Sequence, residues 1–111
     1  MMPSNAEAAG WKILDTVTEL CAQAFQDRLL AAYAMGSLAR GGFSPLASDV
    51  DFGLLIRSPL NAQDVAAITR IHTQVAGTGL DLCDRLSIFW GSPDSLSGAE
   101  TGGRFPPFDR L

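Results

Sequence analysis

The sequence predicts a small α/β fold, a sheet of short strands with helices packed on it. Three observations lead there. An N-terminal stretch repeats apolar residues at helical steps, two apolar runs stop at a glycine or a Ser-Pro pair, and a second helical pattern separates the last two strand candidates.

The first element is an amphipathic helix from Asn5 to about Gln26. Ile13, Leu14, Val17, Leu20, Cys21, Ala24 and Phe25 recur at three- and four-residue steps, with Lys12, Asp15, Glu19, Gln23 and Gln26 on the other side. Leu29 to Met35 is a short apolar run ending at Gly36, and its length suits a buried strand. Ser37 to about Arg40 predicts a short helix closed by Gly41-Gly42. Val50 to Ile56 is the second strand, broken by Ser58-Pro59. Asn61 is placed to cap a helix over Ala62 to Ala76, with Val65, Ile68, Ile71 and Val75 inward. A third strand is expected at Arg85 to Trp90. Beyond Gly91 the periodicity fades into glycine, proline and serine, so residues 93–111 read as a flexible tail or the start of a missing C-terminal part, after a domain over 1–92. The ending, Phe105-Pro106-Pro107-Phe108-Asp109-Arg110-Leu111, suggests a fragment of a longer protein.

The chain has 111 residues, one domain's worth, with 47% hydrophobic and 18% charged residues, ordinary for a globular core. No apolar run is long enough for a membrane helix, and the N-terminus has no secretory pattern, so a cytoplasmic location is expected. The net charge of −4, with eight thinly spread basic residues, argues against a grip on duplex nucleic acid. A nucleotide is compatible with that charge when bound metal supplies the positive counterpart. Cys21 and Cys83 read as buried free thiols.

The chemistry gathers around two features. Gly36-Ser37 ends the first strand, where the backbone N–H groups opening the next helix suit a phosphate. Asp49 and Asp51 stand two residues apart on a strand, so both carboxylates share a face while Val50 and Phe52 point into the core. Paired acids call for a cation, and Mg²⁺ binds through one or two carboxylates plus substrate phosphates. Turn and acid pair together describe metal-assisted phosphoryl or nucleotidyl transfer.

Gly36-Ser37-Leu38-Ala39-Arg40-Gly41-Gly42 followed by Ser48-Asp49-Val50-Asp51-Phe52 resembles the signature of the polymerase-beta-like nucleotidyltransferase superfamily, nearest to the minimal and aminoglycoside nucleotidyltransferases. The resemblance covers about Ala24 to Trp90 and implies the small mixed sheet of that superfamily. It implies that Gly36 and Ser37 contact nucleotide phosphates and that Asp49 and Asp51 hold two Mg²⁺ ions; Arg40, by its charge, is a candidate for a further phosphate or pyrophosphate contact. It implies a reaction in which a hydroxyl attacks the α-phosphate of a nucleoside triphosphate and expels pyrophosphate. The family's third acid has two candidates here, Asp84 and Asp81, with Asp84 preferred; on the strand itself the equivalent is Arg85 or Ser87, neither an acid. The helical second domain of the antibiotic-modifying relatives does not fit within this length. The resemblance therefore implies a homodimer, a helical partner subunit or a missing half.

Simpler roles stand beside these. Asp49 and Asp51 also suit a solvated strand start, Gly36-Ser37 an ordinary capped turn, and Arg40 the surface. His72 suits packing or solvent better than catalysis, Trp11 and Trp90 suit core or contact roles, and Asp94 and Glu100 suit solvent. Two functions follow. The first is a Mg²⁺-dependent enzyme moving a nucleoside monophosphate from a nucleoside triphosphate onto a hydroxyl of a small molecule, such as an aminoglycoside, or of a protein. The alternative is a non-catalytic nucleotide- or partner-binding domain, a pseudo-enzyme or antitoxin-like subunit, that keeps the fold.

Overall fold

The computed structural model describes residues 5–35, 50–98 and 101–106. Helix α1 (Asn5–Phe25) passes through a 3₁₀ turn (Gln26–Arg28) into strand β1 (Leu29–Met35). Strand β2 (Val50–Ile56), helix α2 (Ala62–Ala76) and strand β3 (Leu86–Gly91) follow, then a four-residue helix α3 (Pro93–Leu96) and strand β4 (Gly103–Phe105). The four strands form one mixed sheet in the order β1-β2-β3-β4. β1 and β2 are antiparallel, β2 and β3 parallel, and β3 and β4 antiparallel. The parallel pair is joined through α2, as a parallel connection requires. The expected short helix at 37–40 lies outside the described residues.

The alternation of side chains along β2 divides the molecule into two sides. Val50, Phe52, Leu54 and Ile56 are all buried, and they form one core with Ile13, Val17, Cys21 and Phe25 of α1 and Ile68, Ile71 and Val75 of α2. Each large apolar side chain removed from water there contributes about 1.5–3 kcal/mol. Asp51, Gly53 and Leu55 therefore face the side opposite the two long helices.

Three details depart from the sequence reading. Val65, expected inward on α2, is 42% exposed, because the inward stripe runs Asp64, Ala67, Ile68, Ile71, Val75, one helical step around. A carboxylate takes an inward place because it has partners. Arg28 grips Asp64 through two bonds, Nη1 to Oδ1 at 2.6 Å and Nη2 to Oδ2 at 2.9 Å, while Asp64 also completes a reciprocal cap with Asn61. The same Nη2 donates to the carbonyls of Arg57 and Pro59, so one guanidinium ties the start of β1 to the loop leading into α2.

β1 was expected to be buried, but it is an edge strand with no fully buried residue. Its Ala31, Ala32 and Ala34 are small, and Tyr33 stands half exposed. The stretch expected as a tail carries structure within its described part. Ser92 caps α3 reciprocally with Ser95, Pro93 sits in its first turn, and Gly103–Phe105 adds a strand to β3. Both elements are shorter than a period-based reading can register. Glycine is required at 102, because a β-carbon there would collide with the Trp90 carbonyl oxygen, and a β-carbon at 103 would push against the Trp90 ring. Among the described residues, no helix is long and apolar enough to cross a membrane.

Candidate functional site

β2 begins at the edge of the described segment, and Val50 donates its N–H to the Arg85 carbonyl at 2.9 Å, tying the start of β2 to the start of β3. Asp51 comes next, half-buried, on the side away from α1 and α2. Its neighbour on β1 is Met35, the last residue of that strand, and its neighbour on β3 is Ser87. Asp51 thus lies between the strand that leads into Gly36-Ser37 and the strand on which a further polar group would be sought.

Ser87 is buried, and a guanidinium accounts for its polar contact. Arg104 of β4 pairs with Phe89, and its side chain runs back along β3 so that Nη2 donates to Ser87 Oγ at 3.2 Å. Nη1 donates to the Pro106 carbonyl at 2.9 Å, and the guanidinium carbon lies 5.4 Å from the centre of the Phe89 ring, a cation–π distance. Further along the same face, the Tyr33 ring covers Gly53, its cross-strand partner, so closely that a β-carbon at 53 would overlap it. A pocket of about 170 Å³ begins there, walled by Tyr33, Leu55, Phe89 and Trp90 and closed by Gly91 and Ser95. Gly53 is two residues along the strand from Asp51, roughly 7 Å, so acid, cation and aromatic wall share one surface.

The structure brings together only part of the predicted set. Asp51 sits beside Ser87. Asp84 and Asp81 are exposed in the turn that precedes β3, with Asp84 two residues before Leu86, the partner of Val50. Gly36, Ser37, Arg40 and Asp49 lie outside the described residues. Among the described residues, no three His, Cys, Asp or Glu side chains cluster in a way that would hold a metal ion.

His72 lies away from this surface. Its Nε2 is 2.8 Å from the Leu86 carbonyl and its ring meets Phe105 edge-on at 4.8 Å, so it joins α2 to β3 and β4 as a packed histidine. Trp90 packs against the core and Gly103, whereas Trp11 is exposed on α1. Cys21 is fully buried, and burial pushes its thiol up to about 12; Cys83 is half-buried, and its Sγ donates to the Ala76 carbonyl.

Arg104 is the site residue that sequence reasoning missed. Its strand is three residues long and flanked by glycine and proline, so no periodicity announces it. The one available signal was Gly102-Gly103 ahead of a cation and an aromatic residue, a pattern of close backbone approach. No protein-family model matches the chain, and no curated protein matches it.

Proposed function

We propose that this domain binds a nucleoside triphosphate with Mg²⁺ on the sheet face opposite α1 and α2 and transfers its nucleoside monophosphate to a hydroxyl. The observation that carries the reading is the pairing of Asp51 with Met35. Gly36-Ser37 follows Met35 directly in the sequence and Asp49 precedes Val50 directly, so the two halves of the sequence signature flank strand ends that pair with each other.

The residues suit a divalent ion in part. Asp51 lies on the face opposite α1 and α2, and Asp49 stands two residues before it in the sequence, a pair of hard oxygen donors of the kind Mg²⁺ uses alongside substrate phosphates. When bound, the ion would neutralise charge on the phosphate oxygens. The chain's own groups have distinct tasks. Asp49 and Asp51 would hold the two Mg²⁺ ions that the resemblance implies, Gly36, Ser37 and Arg40 would hold the phosphates, and Asp84, two residues before the β3 partner of Val50, would take the proton of the attacking hydroxyl. The new P–O bond forms on the α-phosphorus as the bond to pyrophosphate breaks. The acidic chain favours a cationic acceptor, small molecule or protein.

The test is release of pyrophosphate from ATP or GTP in the presence of cationic small molecules and of protein acceptors. The reading requires Mg²⁺-dependent release that Asp51→Asn abolishes; release unchanged in that variant would sink it.

A second reading, a nucleotide-binding module without catalysis, is favoured by one observation: the β3 neighbour of Asp51 is Ser87, a neutral side chain, not an acid. Tight nucleotide binding with no transfer to any acceptor in that panel would select it.

A further inference from the structure

The face opposite α1 and α2 carries a hollow that the sequence signature does not account for. Tyr33 of β1, Gly53 of β2 and Phe89 of β3 stand in one row across the sheet. Two strand spacings, roughly 10 Å, separate the tyrosine from the phenylalanine, and the residue between them has no side chain. The Tyr33 ring leans into that gap over Gly53. A tyrosine beside a strand glycine can serve only to cover it. Here the hollow continues one row further, where Leu55 pairs with Gly91, a second position without a side chain, and Ser95 of α3 closes the far end.

Size and chemistry decide what such a hollow takes. Its volume is about 170 Å³. An apolar cavity of about 150 Å³ admits a benzene ring, so the space suits one flat ring and is too small for a peptide segment. Among the described residues, no charged side chain lines it, and Ser95 Oγ is engaged, accepting from the Ser92 N–H at 3.0 Å. The walls therefore offer stacking surface and nothing to balance an anion. Tyr33 is half exposed, so the pocket opens to solvent and the rest of a larger molecule remains outside.

Position narrows the ring to a nucleobase. The row of Met35, Asp51 and Ser87 lies next to the row of Tyr33, Gly53 and Phe89, two residues or roughly 7 Å along β2. With phosphates at the Asp51 row, a ribose spans that step and its base arrives at the aromatic walls. Stacking on aromatic side chains suits a base because every base has a flat face.

We propose that the pocket walled by Tyr33 and Phe89 receives the base of the nucleotide, stacked on aromatic rings over the bare backbone of Gly91. This rests on the nucleotide reading above, to which it adds the residues that hold the base.

The test uses the full chain. Tyr33 is its single tyrosine, so protein labelled with ¹³C on the tyrosine ring reports on the pocket alone. ATP with Mg²⁺ is expected to shift the Tyr33 ring signals in nuclear magnetic resonance spectra. Inorganic tripolyphosphate with Mg²⁺, which has no base, is expected to leave them in place. Calorimetry then compares wild type with Tyr33→Leu, Tyr33→Phe and Gly91→Val. Leucine at 33 keeps an apolar cover over Gly53 without a ring. Valine at 91 projects into the pocket, and its β-carbon meets Ser95 at an ordinary contact distance of 3.4 Å. Both are expected to bind ATP about 5- to 100-fold more weakly, the worth of one stacked base, with tripolyphosphate affinity unchanged. Tyr33→Phe keeps the ring and should bind like wild type. Gly91→Val carries the test if the leucine variant does not fold. ATP binding that leaves the Tyr33 signals unmoved, or unchanged ATP affinity in the folded leucine or valine variant, would overturn the base pocket while leaving the nucleotide reading intact. A wild type that binds neither ATP nor tripolyphosphate would overturn both.

Discussion

Ser87 stands directly across from Asp51 on the parallel β2–β3 pair, and Arg104 holds the Ser87 hydroxyl from the far side at 3.2 Å. An acid, a hydroxyl and a guanidinium thus follow one another across three strands, on the face that the two long helices leave uncovered. That row depends on β4, and β4 depends on two glycines.

Gly102→Ala tests this dependence. Its β-carbon would overlap the Trp90 carbonyl oxygen, a backbone atom that cannot swing aside. The substitution is expected to cost about 1–3 kcal/mol, the range for overpacking a tight contact. Chemical denaturation measures the loss. A variant as stable as wild type would show that β4 docks more loosely than described.

The Arg28–Asp64 pair makes stability pH-dependent in a stated direction. The bond from Arg28 holds the Asp64 carboxyl below its usual value, against the opposing effect of burial, with Asn61 adding to the lowering. A lowered carboxyl contributes stability that is fully present above its unfolded value, near 3.9, and is lost as pH falls through the lower folded value. Asp64→Asn should cost about 1–3 kcal/mol at pH 7, toward the lower end because a third of the Arg28 side chain meets solvent. The difference from wild type should shrink below pH 4. Urea midpoints at pH 7 and pH 3 measure both; an equal gap at the two values would remove Asp64 as the source.

The two thiols should separate by reactivity. Cys21 is fully buried with its thiol pushed up to about 12, whereas Cys83 is half-buried near the surface turn. In native buffer at pH 8, Ellman's reagent should titrate one thiol per chain within minutes and the second only after denaturation. Cys83→Ser should abolish the fast phase. Two fast thiols would mean that α1 opens away from the sheet readily.

Long periodic elements were legible in the sequence. The bounds of β1, β2 and α2 follow from apolar runs that end at Gly36, at Ser58-Pro59 and at Gly77, and a two-residue period correctly sent Val50 and Phe52 into the core. What escaped depended on partners distant in the chain. Asp64 turns inward because Arg28 awaits it 36 residues away, and Val65 is displaced accordingly. β1 became an edge strand because sheet order is not encoded in a run of apolar residues. Of the candidate surface, the direction of Asp51, opposite Val50 and Phe52, was readable from the two-residue period, and the family resemblance left Arg85 or Ser87 as its β3 neighbour, between which the strand register selects Ser87. Arg104 was not, because three residues show no period.

Calorimetric titration of ATP with Mg²⁺ into wild type and into Asp49→Asn/Asp51→Asn tests the central claim most directly, with thermal melts confirming that both are folded. The account predicts binding in wild type that disappears when Mg²⁺ is chelated and is absent from the double variant. A folded double variant that binds as tightly as wild type, or a wild type with no Mg²⁺-dependent binding, would contradict it.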